Sequence, residues 1–228
     1  MLADISPVTQ DYLKVIWNAR EWSDAAVTSK MLAERMDVSA STVSETVRRL
    51  TEQGLVQHAP YAAIDLTETG RTLALAVVRR HRLLETYLLQ ELNYTWDEVH
   101  AEAEVLEHAV SDTLIERIAA KLGHPRRDPH GDPIPTADGH VQVPDAVLLD
   151  ELDSGGRGTV ARISDDDPDT LRHFTSTGIV LDAAIRVDRR TEAVDTLVLH
   201  VGDSSEEVTL GRRAARTVWV SPLPDAVG

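Results

Sequence analysis

The chain contains no cysteine, which excludes disulfides, cysteine-bound structural zinc and thiol catalysis. It has no apolar run approaching the ~18 residues of a membrane span. Its first residues carry no basic, apolar, small-residue leader pattern, so a cytoplasmic protein is expected. There is no His-Glu-x-x-His pair, no Gly-x-Ser-x-Gly elbow and no phosphate-cradling glycine loop. An enzyme, of which a metal-dependent hydrolase is the nearest form, is therefore the least supported reading. Positive charge is also scarce, since 23 Lys and Arg face 38 Asp and Glu for a net charge of −15. That balance argues against a broadly basic nucleic-acid surface. The carboxylate excess is smallest over the first 75 residues, so DNA contact remains open there.

What is present is a succession of helix signals followed by a change of pattern. Ser6-Pro7 reads as a cap and first helical residue, with Tyr12, Leu13, Ile16 and Trp17 as an apolar stripe. Thr28 caps a short helix, Ser29 to Met36, and Asp37-Val38-Ser39 reads as a turn. A second helix runs from Ser39 or Ala40 to about Gln53, with Val43, Val47 and Leu50 inward and Gly54 as its stop. Segments Leu55–His58 and Ala63–Leu66 alternate around Pro60 and Tyr61, as a two-stranded hairpin would. Thr67 opens a long helix to about Leu92. Thr95 and Glu98 have capping-box spacing, which predicts another helix ending near Leu122-Gly123.

From His124 to Pro135 the prolines and glycine forbid a helix. The remainder is β-rich, with strands expected at Thr159–Ile163, Ile179–Val187, Thr196–Val201, Glu206–Leu210 and Thr217–Val220. The pattern is mainly α with a C-terminal β module of small-barrel type. The expected divisions are 1–74 for a DNA-binding unit, 75–140 for helices that bind metal and dimerise, 141–156 for a linker, and 157–224 for the β module.

Two short helices joined by a tight turn and followed by a hairpin make a winged helix-turn-helix, whose second helix enters the major groove. Its first turns carry Ser39, Ser41, Thr42, Ser44, Glu45 and Thr46. Hydroxyls there can bond phosphate oxygens, Glu45 can accept from a base amine, and Arg48 and Arg49 would meet phosphate.

The second constellation is metal-capable. His100, Glu104, Glu107 and His108 advance by helical turns, and His81 and Glu85 stand i,i+4 on the preceding helix. Asp11 would add a ligand from a third helix. Charged stripes are often just solvated faces, but imidazoles beside carboxylates on two helices favour a metal. Oxygen-rich, sulfur-free donors suit manganese or ferrous iron better than copper or zinc.

These motifs resemble the diphtheria-toxin-repressor family, in particular its manganese-responsive branch. The likeness rests on Thr9-x-x-Tyr12-Leu13, Ser41-Thr42-Val43-Ser44-x-Thr46-Val47, Leu66-Thr67-x-x-Gly70-Arg71, Arg80-His81-Arg82-Leu83, Val99-His100-x-Glu102-Ala103, Glu107-His108-x-x-Ser111-Asp112 and Pro129-His130-Gly131-x-Pro133-Ile134-Pro135.

The resemblance implies a homodimeric repressor that binds a palindromic operator, with an SH3-like C-terminal domain and two or more metal sites per subunit. It implies a primary metal site of Asp11, Glu104, Glu107 and His108 and an ancillary site of His81, Glu85 and His100. Iron-responsive members have methionine and cysteine where this chain has Asp11 and Glu104. The implied effector is therefore Mn(II), with Fe(II) the alternative and Co(II) or Zn(II) able to bind in vitro. Short manganese regulators have a glutamate where this chain has Lys14, so their paired-metal arrangement is not implied. The SH3-like domain is expected to lend Asp167, with Asp169 and His173 nearby. No membrane or small-molecule partner is expected.

Overall fold

The computed structural model describes residues 2–59 and 62–223. Pro60 and Tyr61, the expected hairpin tip, lie outside the described residues. Helices α1 (Pro7–Glu21), α2 (Ser29–Arg35) and α3 (Ala40–Glu52) are followed by strands β1 (Val56–Gln57) and β2 (Asp65–Leu66) and helices α4 (Glu68–Leu92), α5 (Val99–Leu106) and α6 (Asp112–Lys121). The β-rich part comprises β3 (Val147–Leu148), β4 (Arg157–Ile163), α7 (Pro168–Thr177), β5 (Ala184–Thr191), β6 (Thr196–Val201), β7 (Glu207–Gly211), α8 (Arg212–Ala215) and β8 (Val218–Pro222). Among the described residues no helix is long and apolar enough to cross a membrane. The chain forms two compact units, and the long helix α4 contributes to both.

The first unit comprises Met1–His81, Glu107–Ala109 and Pro135–Val141. Its helices begin where side-chain oxygens can satisfy open amides: Ser6, Thr28 and Ser39 accept from the backbone N–H three residues on, each at 3.2 Å. Gly54, at φ +70°, ends α3 in the left-handed conformation glycine adopts without strain. Strands β1 and β2 pair antiparallel, Val56 opposite Leu66 and Gln57 opposite Asp65. The core joins Tyr12, Leu13 and Ile16 of α1 to Leu32, Val43, Val47, Leu50, Ile64 and Val77. Fully burying each aliphatic side chain contributes roughly 1.5–3 kcal/mol before entropy is counted. The reading helix is thus packed through α2 and α1 and exposes its other face.

The second unit comprises Arg82–Leu106, Val110–Ile134 and Gln142–Gly228. Leu83, Leu84 and Leu88 of α4 pack with Val99, Ala103, Ile115, Ile118 and Ile134. The single long helix expected from Thr95 to Gly123 is instead two. Glu98 does accept from the Thr95 N–H at 3.0 Å, but regular helix starts at Val99 and stops at Leu106. Ser111 then begins α6 by accepting from the Leu114 N–H at 3.2 Å. A second N-cap inside the apolar periodicity breaks the helix and leaves Glu107 and His108 in a turn.

The β strands form a six-stranded antiparallel sheet in the order β3-β8-β4-β5-β6-β7. Its core gathers Val160, Ile163, Leu171, Phe174, Ile185, Val187, Leu199 and Val220. The strand expected from Ile179 starts later, at Ala184, because Gly178 ends α7 in the left-handed region and Asp182 follows at φ +65°. Gly131, at φ +95°, approaches β4 so closely that a Cβ there would lie 2.1 Å from the Ala161 carbonyl. That approach fixes the neighbouring His130.

Candidate metal centres and DNA-facing helix

In the first unit, Asp11, Glu107 and His108 bring one ligand atom each within 4.8 Å of one another. Asp11 stands one turn inside α1, whose stripe of Tyr12, Leu13 and Ile16 anchors the helix. His108 Nε2 is 2.8 Å from Asp11 Oδ1 and 3.5 Å from Glu107 Oε1. The other ring nitrogen is spoken for. Gln10 donates its amide N–H groups to the Leu2 and Ile5 carbonyls, which turns its Oε1 towards His108 Nδ1 at 3.1 Å. Nδ1–H donation to that oxygen orients the ring and directs Nε2 at Asp11.

Glu107 is fully buried. Lys14 Nζ donates to its Oε1 at 2.6 Å and His81 Nδ1 meets its Oε2 at 2.6 Å. Burial would push its carboxyl pKa up, but His81 and Lys14 outweigh that and hold it below the ordinary value. The charged form needed by a metal is therefore maintained.

In the second unit His100 Nδ1 lies 3.2 Å from Glu85 Oε1 and 3.0 Å from Asp165 Oδ2. Glu104 Oε1 is 3.6 Å from His100 Nε2. A further group, Glu85, Asp128 and His130, is wholly buried with ligand atoms within 4.8 Å of one another. His130 stacks on Trp96 with ring centroids 5.5 Å apart and donates from Nε2 to the Trp96 carbonyl at 3.0 Å. Its Nδ1 is buried and without a hydrogen bond. A ring nitrogen so placed, with two buried carboxylates beside it, fits a divalent cation.

Helix α3 presents the residues expected to face DNA. Ser39, Ser41, Thr42, Ser44, Glu45, Arg48 and Arg49 are exposed. The hydroxyls already order one another: Ser39 Oγ lies 2.8 Å from Ser41 Oγ and 2.9 Å from Thr42 Oγ1. Ser44 bonds back to the Ala40 carbonyl at 2.9 Å. Thr46 is the exception to the expected set. It is buried, because position 46 lies between Val43 and Leu50 on the core stripe.

The sequence matches the family description "Iron dependent repressor, N-terminal DNA binding domain" over residues 4–64 and "Iron dependent repressor, metal binding and dimerisation domain" over residues 67–136. A FeoA domain matches residues 147–222. The iron-dependent repressor IdeR of Mycobacterium leprae is 34% identical over 232 residues, covering 96% of this chain and 99% of that protein. The chain belongs to the iron-dependent repressor family. The diphtheria toxin repressor of Corynebacterium diphtheriae, 34% identical over 201 residues, covers 85% of this chain and 87% of that protein. Among solved structures, a manganese-dependent transcriptional repressor in complex with manganese is 59% identical with a TM-score of 0.90, covering 94% of this chain and all of that one. The manganese regulator SloR is 32% identical with a TM-score of 0.80, covering 96% of this chain and 100% of that one.

As a member of this family, the chain is a metal-dependent, DNA-binding, dimerising transcriptional repressor and not an enzyme. Its expected ligands divide between the units: Asp11, His81, Glu107 and His108 fall in the first, and Glu85, His100 and Glu104 in the second. Asp167 joins none of these groups. It caps α7, with Oδ1 accepting from the Asp169 N–H at 3.1 Å and Oδ2 from the Thr170 hydroxyl at 2.7 Å. Asp165, two residues earlier, is the carboxylate beside His100. Asp169 pairs with Arg172, and His173 is exposed.

His130 and Asp128 lie outside the metal-capable set expected from sequence. The Pro129-His130-Gly131 motif was the available signal, since a glycine forced against β4 fixes whatever precedes it. Burial, together with Asp132 and Glu85, pushes the Asp128 carboxyl well above its ordinary range, with Arg82 opposing. His200 also finds carboxylates, Asp188 and Glu207. Arg189 bridges both at 3.0–3.2 Å, which makes that group a neutralised surface network.

Proposed function

We propose that this repressor is activated by Mn(II) and shuts off manganese uptake when the ion is plentiful. The observation that carries the reading is the chemistry of the donors. Asp11, Glu107 and His108 converge without sulfur in a chain that has no cysteine. Glu104, one turn before Glu107 in the chain, is the fourth ligand expected from sequence. Oxygen-rich donors favour the harder, weakly bound manganese ion, while sulfur would favour softer metals. Glu85, His100 and Asp165, with Asp128 and His130 beside Glu85, form the basis of a second site. His81 is the remaining ancillary ligand expected from sequence.

When bound, a divalent ion supplies positive charge that draws carboxylates and imidazole together. The residues do the rest. Asp11 belongs to α1, which packs on α2, and α2 packs on the reading helix α3. Gln10 aims His108, and Lys14 with His81 keeps Glu107 ionised. Drawing Asp11 to Glu107 and His108 therefore fixes α1 against the turn at 107–109 and orients the reading head. Metal shifts the population towards the DNA-competent arrangement through its higher affinity for that arrangement.

We assign Ser39, Ser41, Thr42, Ser44, Glu45 and Arg49 to the DNA face. The operator is palindromic, matching a two-fold dimer, and the repressor works in the cytoplasm, where the DNA is. Residues 1–74 read DNA and 75–140 bind metal and dimerise, and the appended domain, expected from sequence at 157–224 beyond a linker at 141–156, also takes in β3, which pairs with β8.

The test is selection of duplexes from a random pool by metal-stripped protein with manganese, anaerobic ferrous iron, zinc or chelator. A palindrome enriched with manganese and lost with chelator is the expected result. Enrichment with ferrous iron but not manganese would make it an iron-responsive repressor of iron uptake.

A further inference from the structure

We infer that Lys14 is a resident cation of the metal centre, one that must release Glu107 when a divalent ion enters and so sets the metal level at which the repressor responds. The inference rests on the primary-site reading above. Lysine is among the residues least often buried, because its ammonium loses hydration. Lys14 is nevertheless only 4% exposed. It follows Asp11 by one helical turn, so both side chains leave α1 on the same side.

The geometry gives the lysine a specific competitor. Glu107 has two oxygens, and His81 Nδ1 meets Oε2 at 2.6 Å while Lys14 Nζ holds Oε1 at 2.6 Å. Oε1 is also the oxygen 3.5 Å from His108 Nε2, the nitrogen that faces Asp11 at 2.8 Å. The ligand atom that Glu107 offers to Asp11 and His108 is therefore the one the ammonium already occupies. An ion drawn to that oxygen must displace the ammonium, because the two like charges repel where screening by water is weak. In the metal-free protein the same ammonium offsets the carboxylate, keeping Glu107 ionised and the turn at 107–109 in place. Lys14 thus stabilises the metal-free centre more than the loaded one, and that difference opposes metal binding.

A purely structural lysine would behave differently, since its loss would weaken the free and loaded protein alike and leave metal affinity unchanged or poorer. The experiment uses the full-length, metal-stripped chain with Lys14→Met, which keeps length without charge, and Lys14→Gln, which keeps a donor without charge. Mn(II) binding is followed by electron paramagnetic resonance of the free ion, with His108→Ala identifying the site. Both variants are expected to bind manganese about tenfold or more tightly at the His108-dependent site. They should also show a larger rise in melting temperature on adding manganese than the parent chain.

Should Lys14→Met not fold without metal, Lys14→Gln decides the matter. Unchanged or weaker affinity in the folded variants overturns the role of Lys14 alone. If the parent chain binds no manganese that His108→Ala removes, the primary-site reading fails and this inference falls with it.

Discussion

His100 Nδ1 stands 3.0 Å from Asp165 Oδ2, with Glu85 Oε1 at 3.2 Å, so one imidazole is held between two carboxylates. Burial opposes charge on His100, but hydrogen bonds and attraction from Asp165 and Glu85 prevail and raise its pKa above the ordinary 6.5. Burial likewise opposes charge on Asp165, and His100 overcomes it and lowers that pKa below the ordinary 3.8. The His100 contribution is full below pH 6.5 and declines as pH rises towards its elevated folded value. The Asp165 contribution is full above pH 3.8 and declines as pH falls. Water on the open side of His100, whose side chain is 43% exposed, moderates both.

The metal-free protein should therefore owe most to this pair between those two values. Denaturant midpoints measured from pH 3 to 10 for the parent chain and His100→Gln should diverge most in that window. A constant gap across the range would rule the pairing out. Because metal must displace the His100 proton, binding at this site should also release protons and tighten as pH rises. Calorimetry in buffers of different ionisation enthalpy reads that count directly.

His108→Ala and Glu107→Ala should both abolish manganese-activated DNA binding, yet differ in stability. His108 is partly exposed, and its loss should leave the fold intact. Glu107 is buried against Lys14 and His81, so truncating it breaks a buried ion pair at a cost of about 3–5 kcal/mol. Chemical denaturation without metal separates the two variants, and equal stabilities would mean that the buried pair contributes little to the fold.

Asp165→Ala should weaken metal at the second site by about tenfold or more. Asp167→Ala should cost only the modest stability of a helix cap. Metal titration of both variants decides between them, and a large loss of affinity in Asp167→Ala alone would reverse the assignment.

Replacing Asp11 by Met together with Glu104 by Cys introduces two sulfur donors. The response should broaden towards ferrous iron, cobalt and zinc. Operator binding across a metal series measures this, and an unaltered profile would place selectivity outside the primary site.

Arg49→Ala should weaken DNA binding evenly across sequences and lower the salt slope by about one. Ser41→Ala should act more selectively, since Ser41 sits in the first turn of the reading helix. An unchanged slope for Arg49→Ala would show that this side chain does not meet phosphate.

Local chemistry made much of the fold legible. Ser6, Thr28 and Ser39 announce their helices because a hydroxyl before a helix satisfies open amides whatever lies further away. Gly54 announces a stop for the same local reason. Spacing failed where long-range packing intervened. Thr46 looked available on a polar helix, yet the position between Val43 and Leu50 is turned inward. Asp165 and Asp167 are equally plausible in an acidic stretch, and only the start of α7 consumes one as a cap and frees the other for His100. His130 carried no helical or strand periodicity, so its burial beside Trp96 and Glu85 could not be read from neighbours in the chain.

The sequence by itself determined the order of α1 to α4, the absence of cysteine ligands and most of the candidate donors, because these follow from residue type and near-neighbour spacing. Tertiary structure decided which donors meet. Glu107 lies 93 positions from Lys14 and 26 from His81, and no local rule links such positions. Only the packing of α1, α4 and the turn after α5 brings their charges within reach in a site that excludes water.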